Sequence, residues 1–198
     1  MPPRPNWFIA LPVRAADLPP GLVGEMPPGL RRMHPDDLHI TVAFLGPVRP
    51  RAARAAWALA TTIDEGPFRV ESGALAAFGR PERPSAYGLD LGPGGAAVGA
   101  MIERWRNALL RAAAAREETR PVRPHITLGR PPRRGGTTIR ARAHEWLATA
   151  APAASALHLD RIALYTWPED RRERLFRIVE QCTLPCARAD SGEDEART

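Results

Sequence analysis

The tripeptide His-Ile-Thr occurs twice, at His39–Thr41 within LHITVAFLG and at His125–Thr127 within PHITLGRP, in a chain with only five histidines. Each copy lies in an alternating apolar pattern, which predicts a β-strand. Successive side chains of a strand point to opposite faces. Leu38, Ile40, Val42 and Phe44 are therefore expected in a core, leaving His39, Thr41 and Ala43 on the other face. In the second copy Ile126 and Leu128 go inward, while His125, Thr127 and Gly129 face outward. Each strand then offers an imidazole beside a hydroxyl, with a small residue next along that leaves room for a ligand.

Imidazole is the side chain best suited to exchanging a proton near neutral pH. Two of them on opposite sides of a phosphorus atom can serve as general base and general acid in one turnover. Threonine hydroxyls can donate to the non-bridging oxygens, and Arg130, just past the second triplet, can grip one bidentately. Such a set would stabilise an anionic phosphorane with no metal. The order expected here is His125 activating water and His39 protonating the departing oxygen, although the two strands are nearly equivalent. Rival chemistries have less behind them. His39 and His125 with Asp36 or Asp37 lack ligand-like spacing for a metal. No G-x-S-x-G and no Walker loop occurs. His34, His144 and His158 stand alone and read as loop or surface residues.

The elements that must position these residues follow along the chain. NWFIALPV predicts a strand from Trp7 to Val13, and Arg14 to Pro35 reads as loop, rich in Pro and Gly. The first motif strand runs from Leu38 to Leu45, followed by a helix that starts near Pro50 and ends by Gly66. FRVESGALAAFG and SAYGLDLG are two further strands. The longest helix carries Val98, Met101, Ile102, Trp105 and Leu109 on one stripe, which reads as core. The second motif strand, from about Arg123 to Gly129, precedes the loop PPRRGGTT and a short helix in ARAHEWLATA. ALHLDRIALYTW and LFRIVEQCTL are the closing strands. Each half owns one His-Ile-Thr, so an α+β fold of two similar lobes is expected, with the motif strands facing across a cleft.

Composition narrows the setting. The chain has 198 residues and a net charge of +6, and all 28 of its basic residues are arginine. A GC-rich genome produces that arginine bias, yet the excess of positive charge still favours polyanions such as nucleic acid. No run approaches a membrane span and no secretory signal is evident, so a cytoplasmic protein without membrane contact is expected. Cys182 and Cys186 lack a second pair, so neither a disulfide framework nor a zinc site is expected from them. A single folded domain over 1–185 and a disordered acidic tail over 186–198 complete the outline.

The residues carry a wider resemblance. The two H-x-T motifs resemble those of the two-histidine (2H) phosphoesterases, and within them the RNA 2′,3′-cyclic phosphodiesterases, historically called 2′-5′ RNA ligases. FIAL at Phe8 resembles the opening strand of that family, and HPDDLHITVAFLG its first motif. LAAFGRPERPSAYGLDL resembles its central hairpin and RPVRPHITLGR its second motif, so the likeness extends from about Phe8 to Pro185. Between Arg14 and Met33 the chain departs from it, with proline and glycine where the family has a helix. The resemblance implies a bilobal α+β fold, two antiparallel-rich sheets facing across a central cleft with helices outside. It also implies catalytic His39 and His125, substrate contacts from Thr41, Thr127 and Arg130, and no cofactor or metal.

The activity so implied is hydrolysis of RNA 2′,3′-cyclic phosphate ends to 2′-phosphate, with 2′-5′ ligation as the reverse. RNA ends or small cyclic nucleotides are the expected partners of a monomer. A non-catalytic RNA-end or nucleotide-binding protein is the alternative. Phe8, flanked on its face by Asn6 and Ala10, is a further candidate, either as a platform for a nucleobase or as a core residue.

Overall fold

The first and second motif strands lie side by side near the middle of the structure, a computed structural model that describes residues 4–132 and 136–186. The expectation of a disordered tail falls outside the described residues, except for Cys186. In chain order the strands are β1 (Trp7–Pro12), β2 (Arg31–Arg32), β3 (His39–Gly46), β4 (Phe68–Arg80), β5 (Arg83–Leu91), β6 (His125–Arg130), β7 (Ala156–Leu159), β8 (Arg161–Thr166) and β9 (Arg177–Thr183). The helices are α1 (Pro50–Ala60), α2 (Gly95–Ala112) and α3 (Thr137–Thr149). Their order across the sheet is β7-β4-β5-β6-β3-β1-β8-β9, with β2 added on β6. Every described pairing is antiparallel.

The expected α+β class holds. The motif strands, however, expected to face each other across a cleft between two sheets, are hydrogen-bonded neighbours in one nine-stranded sheet, whose two halves meet at them. Strands β1, β3, β8 and β9 form one half; β2, β4, β5, β6 and β7 form the other. A single residue pair, Ile40 with Ile126, joins them. The stretch expected as one strand, ALHLDRIALYTW, is cut at Asp160 into two strands that belong to different halves. It is the crossing between halves, which local alternation cannot reveal.

One face of the sheet is packed under α1 and α2. Ile9, Leu11, Ile40, Val42, Leu89, Ile126 and Leu128 meet Ala53 and Trp57 of α1 and Val98, Met101, Ile102 and Leu109 of α2 in one cluster. The expected stripe of α2 is thus core, except that Trp105 is half-buried and donates its ring N–H to Glu65 at 2.8 Å. Close strand approach also has a residue requirement. A Cβ on Gly88 of β5 would lie 1.8 Å from the Ile126 carbonyl oxygen, so only glycine lets β5 hold the second motif strand in register.

Alternation along β3 is broken, and this corrects the expected burial. Ile9 faces Ala43 and Ala10 faces Thr41, so Val42 is an extra residue in the pairing, a β-bulge. Val42 and Ala43 both enter the core, and Phe44 is turned outward at 57% exposure. Phe44 is directly opposite Phe8 and therefore shares its face, the face of the two triplets.

The cysteine expectation is also corrected. Cys182 and Cys186 form a disulfide, their Cα atoms 5.9 Å apart, within the range that a bridge spans. The chain turns back after β9, where the Cys186 N–H donates to the Ile63 carbonyl at 3.1 Å. This local bond removes the cysteine argument for a reducing compartment. Among the described residues, no helix is long and apolar enough to cross a membrane.

A candidate active site where the two motifs meet

Antiparallel pairing through Ile40 and Ile126 carries His39 toward Thr127 and Thr41 toward His125. Each imidazole therefore stands beside the hydroxyl of the other motif, on the face opposite the helix-covered core. Thr127 is buried and Thr41 half-buried.

Both rings are held by main-chain carbonyls two residues upstream. His39 Nδ1 lies 2.6 Å from the Asp37 oxygen, and His125 Nδ1 lies 2.9 Å from the Arg123 oxygen. A carbonyl oxygen only accepts, so each Nδ1 carries the hydrogen. In the neutral ring Nε2 then keeps a lone pair, which is the form that takes a proton from water or a hydroxyl.

Their surroundings differ. His39 is 8% exposed and sits among aromatic rings: Phe8 at 4.8 Å, Tyr165 at 5.4 Å and Phe176 edge-on at 5.5 Å between centroids. Burial pushes its pKa down from 6.5 to about 4; the Asp37 carbonyl opposes this, and the charges of Arg130 and His125 add to it. His125 is half-buried and stacked on Phe78, with centroids 4.0 Å apart. Its pKa is also lowered, first by burial, while the Arg123 carbonyl and the charge of Asp90 push back. Asp90 is engaged by Arg123 through two hydrogen bonds of 3.1 and 2.7 Å. Arg130, exposed at the end of β6, acts electrostatically on both imidazoles.

Phe8 does not offer a ring to a ligand. It is 1% exposed, stacked on Tyr165 at 4.8 Å and met edge-on by Phe176. It faces the side expected from alternation, but as the floor under His39, so of the two expectations for it only the core role survives. The bulge instead presents Phe44, which sequence reasoning missed because a bulge leaves no mark in the alternation. The small residues after the triplets also serve differently. Ala43 is in the core, and a Cβ on Gly129 would meet Met26 Cε at 2.2 Å, so that glycine makes room for Met26 rather than for a ligand. The other histidines have contacts of their own: His34 Nδ1 accepts the Asp36 N–H at 3.2 Å, the His144 ring lies edge-on to Tyr87, and the main-chain N–H of His158 donates to Asp17. Among the described residues, no three His, Cys, Asp or Glu side chains gather as a metal-binding group.

Comparison with known proteins bears on the fold and the family. An RNA 2′,3′-cyclic phosphodiesterase from Aeropyrum pernix is 33% identical over 102 residues, covering 51% of this chain and 57% of that protein. The match thus spans little more than half the length of that curated relative. Among solved structures, a phosphoesterase superposes with a TM-score of 0.61 at 21% identity, over 91% of this chain and 98% of its own. E. coli LigT complexed with 3′-AMP gives 0.60 at 21% identity, over 90% and 97%. At such identities these two establish the fold. The model of the 2′-5′ RNA ligase superfamily matches residues 27–171, a span that contains both triplets and the strands between them. Motif, fold and family model coincide on the same residues, and the chain belongs to the 2′-5′ RNA ligase superfamily.

Proposed function

We propose that this protein hydrolyses 2′,3′-cyclic phosphate ends of RNA to 2′-phosphates, without a metal ion. The observation that carries the reading is the pair of imidazoles on one face of adjacent strands, each with Nδ1 bound to a main-chain carbonyl and Nε2 left for substrate. The name of the Aeropyrum relative and the 3′-AMP complex of E. coli LigT support the substrate class.

In this scheme one imidazole takes a proton from water as the water oxygen bonds to phosphorus. The phosphorus–O3′ bond breaks, and the other imidazole gives its proton to O3′. His39, deeply buried and poor at holding a proton, suits the base. His125 has Asp90 nearby to favour its charged form and suits the acid. This order reverses the one expected from the sequence, because aromatic burial, invisible there, separates two otherwise equivalent rings. Thr41 and Thr127 would donate to the non-bridging oxygens, and Arg130 would bind one of them.

Incubation with a 2′,3′-cyclic nucleotide or a short RNA with a cyclic end, in excess chelator, tests the reading. A 2′-phosphate product identified by mass and isomer is expected. Binding without turnover would return the protein to the non-catalytic alternative, and a need for added zinc or manganese would refute metal independence.

Two side chains give local predictions. Arg130→Ala should lower kcat/KM by about tenfold or more, the scale of a charge-assisted hydrogen bond, and Arg130→Lys should lose less because it keeps charge without the planar fork. Unchanged hydrolysis in both variants would remove Arg130 from the site. Phe44, rather than Phe8, is placed to act as a platform for a base: it is the exposed large hydrophobic residue among those described, and it lies on the triplet face. Phe44→Ala should weaken binding of a nucleotide end by about 1–3 kcal/mol, similarly for all four bases, since stacking reads little of the base edge. Thermal stability should barely move, and equal affinity by titration would count against stacking.

A further inference from the structure

Asp37 is 0% exposed, the most deeply buried acidic side chain among the described residues. An isolated buried carboxylate is costly, so its partners explain its presence. Its side-chain oxygens accept the main-chain N–H groups of Leu175 at 2.5 Å and Phe176 at 3.3 Å. Arg174 Nε is 3.7 Å from the same carboxylate, and Arg174 also reaches the neighbouring Asp36 at 3.3 Å. These partners belong to the loop that leads into β9, 138 and 139 residues away in the chain.

The same residue faces His39 through its backbone. The Asp37 carbonyl holds His39 Nδ1, and its own N–H donates to the His34 carbonyl at 2.8 Å, closing the 3-10 turn Pro35–Asp37. What the side chain draws in is the ring of Phe176, edge-on to His39 at 87° and to Phe8 at 82°. One residue thus fixes both the hydrogen-bonded edge of the imidazole and one wall of its cage. The second motif is held differently. Behind His125, Arg123 supplies the carbonyl and sets its guanidinium 4.7 Å over Phe78, the ring stacked on His125, while the partly exposed Asp90 binds the Arg123 side chain.

We infer that Asp37 is the positioning residue for His39, its carboxylate latching the loop before β9 so that the imidazole keeps one tautomer and one orientation toward the substrate. A carboxylate is the side chain that fits, since both its oxygens accept and neither donates. An amide would offer one acceptor and turn its NH2 toward the second N–H. The catalytic part of this inference rests on the proposed phosphodiesterase reaction; the structural part does not.

The variant Asp37→Asn tests it by two independent readouts. Turnover of a cyclic nucleotide should fall by about tenfold with KM little changed, the consequence of a reacting group displaced by a fraction of an ångström. In a His39→Ala background the same substitution should cost nothing further, because the group it positions is gone. Ring nitrogen NMR at neutral pH should show His39 with a single Nδ1–H tautomer in the wild type and a mixture in Asp37→Asn. If Asp37→Asn does not fold, Phe176→Ala removes the ring that the loop delivers and is read in the same ways. An unchanged tautomer in the folded variant, or an undiminished turnover loss in the His39→Ala background, overturns the inference. Absence of any hydrolysis by the wild type would instead sink the proposed reaction, and the tautomer measurement would still decide the role of Asp37.

Discussion

Alanine in place of His39 or His125 is expected to lower turnover of a 2′,3′-cyclic phosphate by at least about a hundredfold, the usual cost of losing a general acid or base. The physical argument is that each ring supplies one of two proton transfers that the reaction needs, and no other described imidazole faces the same site. Binding should persist, since the threonines and Arg130 remain, so the loss should fall on kcat more than on KM. The two variants should differ in stability. His39 is packed among Phe8, Tyr165 and Phe176, so its removal leaves a void; half-buried His125 should be more forgiving. Near-normal hydrolysis by the double alanine variant, measured on folded protein, would dismiss the two-histidine mechanism.

Acidification is expected to destabilise the protein from about pH 6.5 downward, beginning above the range in which carboxylates titrate. The folded-state pKa of His39 is depressed to about 4 from 6.5. Above pH 6.5 the ring is neutral in both states and the stability is fully present. As pH falls from 6.5 towards 4 the unfolded chain binds a proton that the folded protein refuses, so stability is lost over that window. A shift of that size corresponds to about 3 kcal/mol, more than a hundredfold in the folding equilibrium. His125, also lowered, acts in the same direction. Urea titrations between pH 7 and pH 4 should show the decline, and His39→Gln, which cannot titrate, should flatten it. An identical slope in wild type and His39→Gln would refute this account.

The same values set the activity profile. With a base that stays neutral down to about pH 4 and an acid that loses its proton below 6.5, kcat/KM should peak on the acid side of neutrality. An optimum at alkaline pH would speak against these assignments.

The sequence by itself determined the pieces governed by local chemistry. Two identical triplets in alternating strands pointed to His39, Thr41, His125 and Thr127 on one face, and the stripe of α2 to the helix-covered core, because strand and helix periodicity depend on near neighbours alone. The α+β class and its two halves followed from that repetition and from the family resemblance. Only the tertiary structure decided what depends on contacts between distant segments. The bulge at Val42, defined by pairing with β1, sent Phe44 outward and Ala43 into the core. The cut at Asp160 assigned β7 and β8 to different halves, and the turn after β9 joined Cys182 to Cys186. Phe8 lay on the face that alternation assigns it, yet Tyr165 and Phe176, more than 150 residues away, made it a floor for His39 rather than a platform for a base. The asymmetry of the two histidines arises in the same way: the triplets are identical, and burial by remote aromatic rings sets their proton affinities apart.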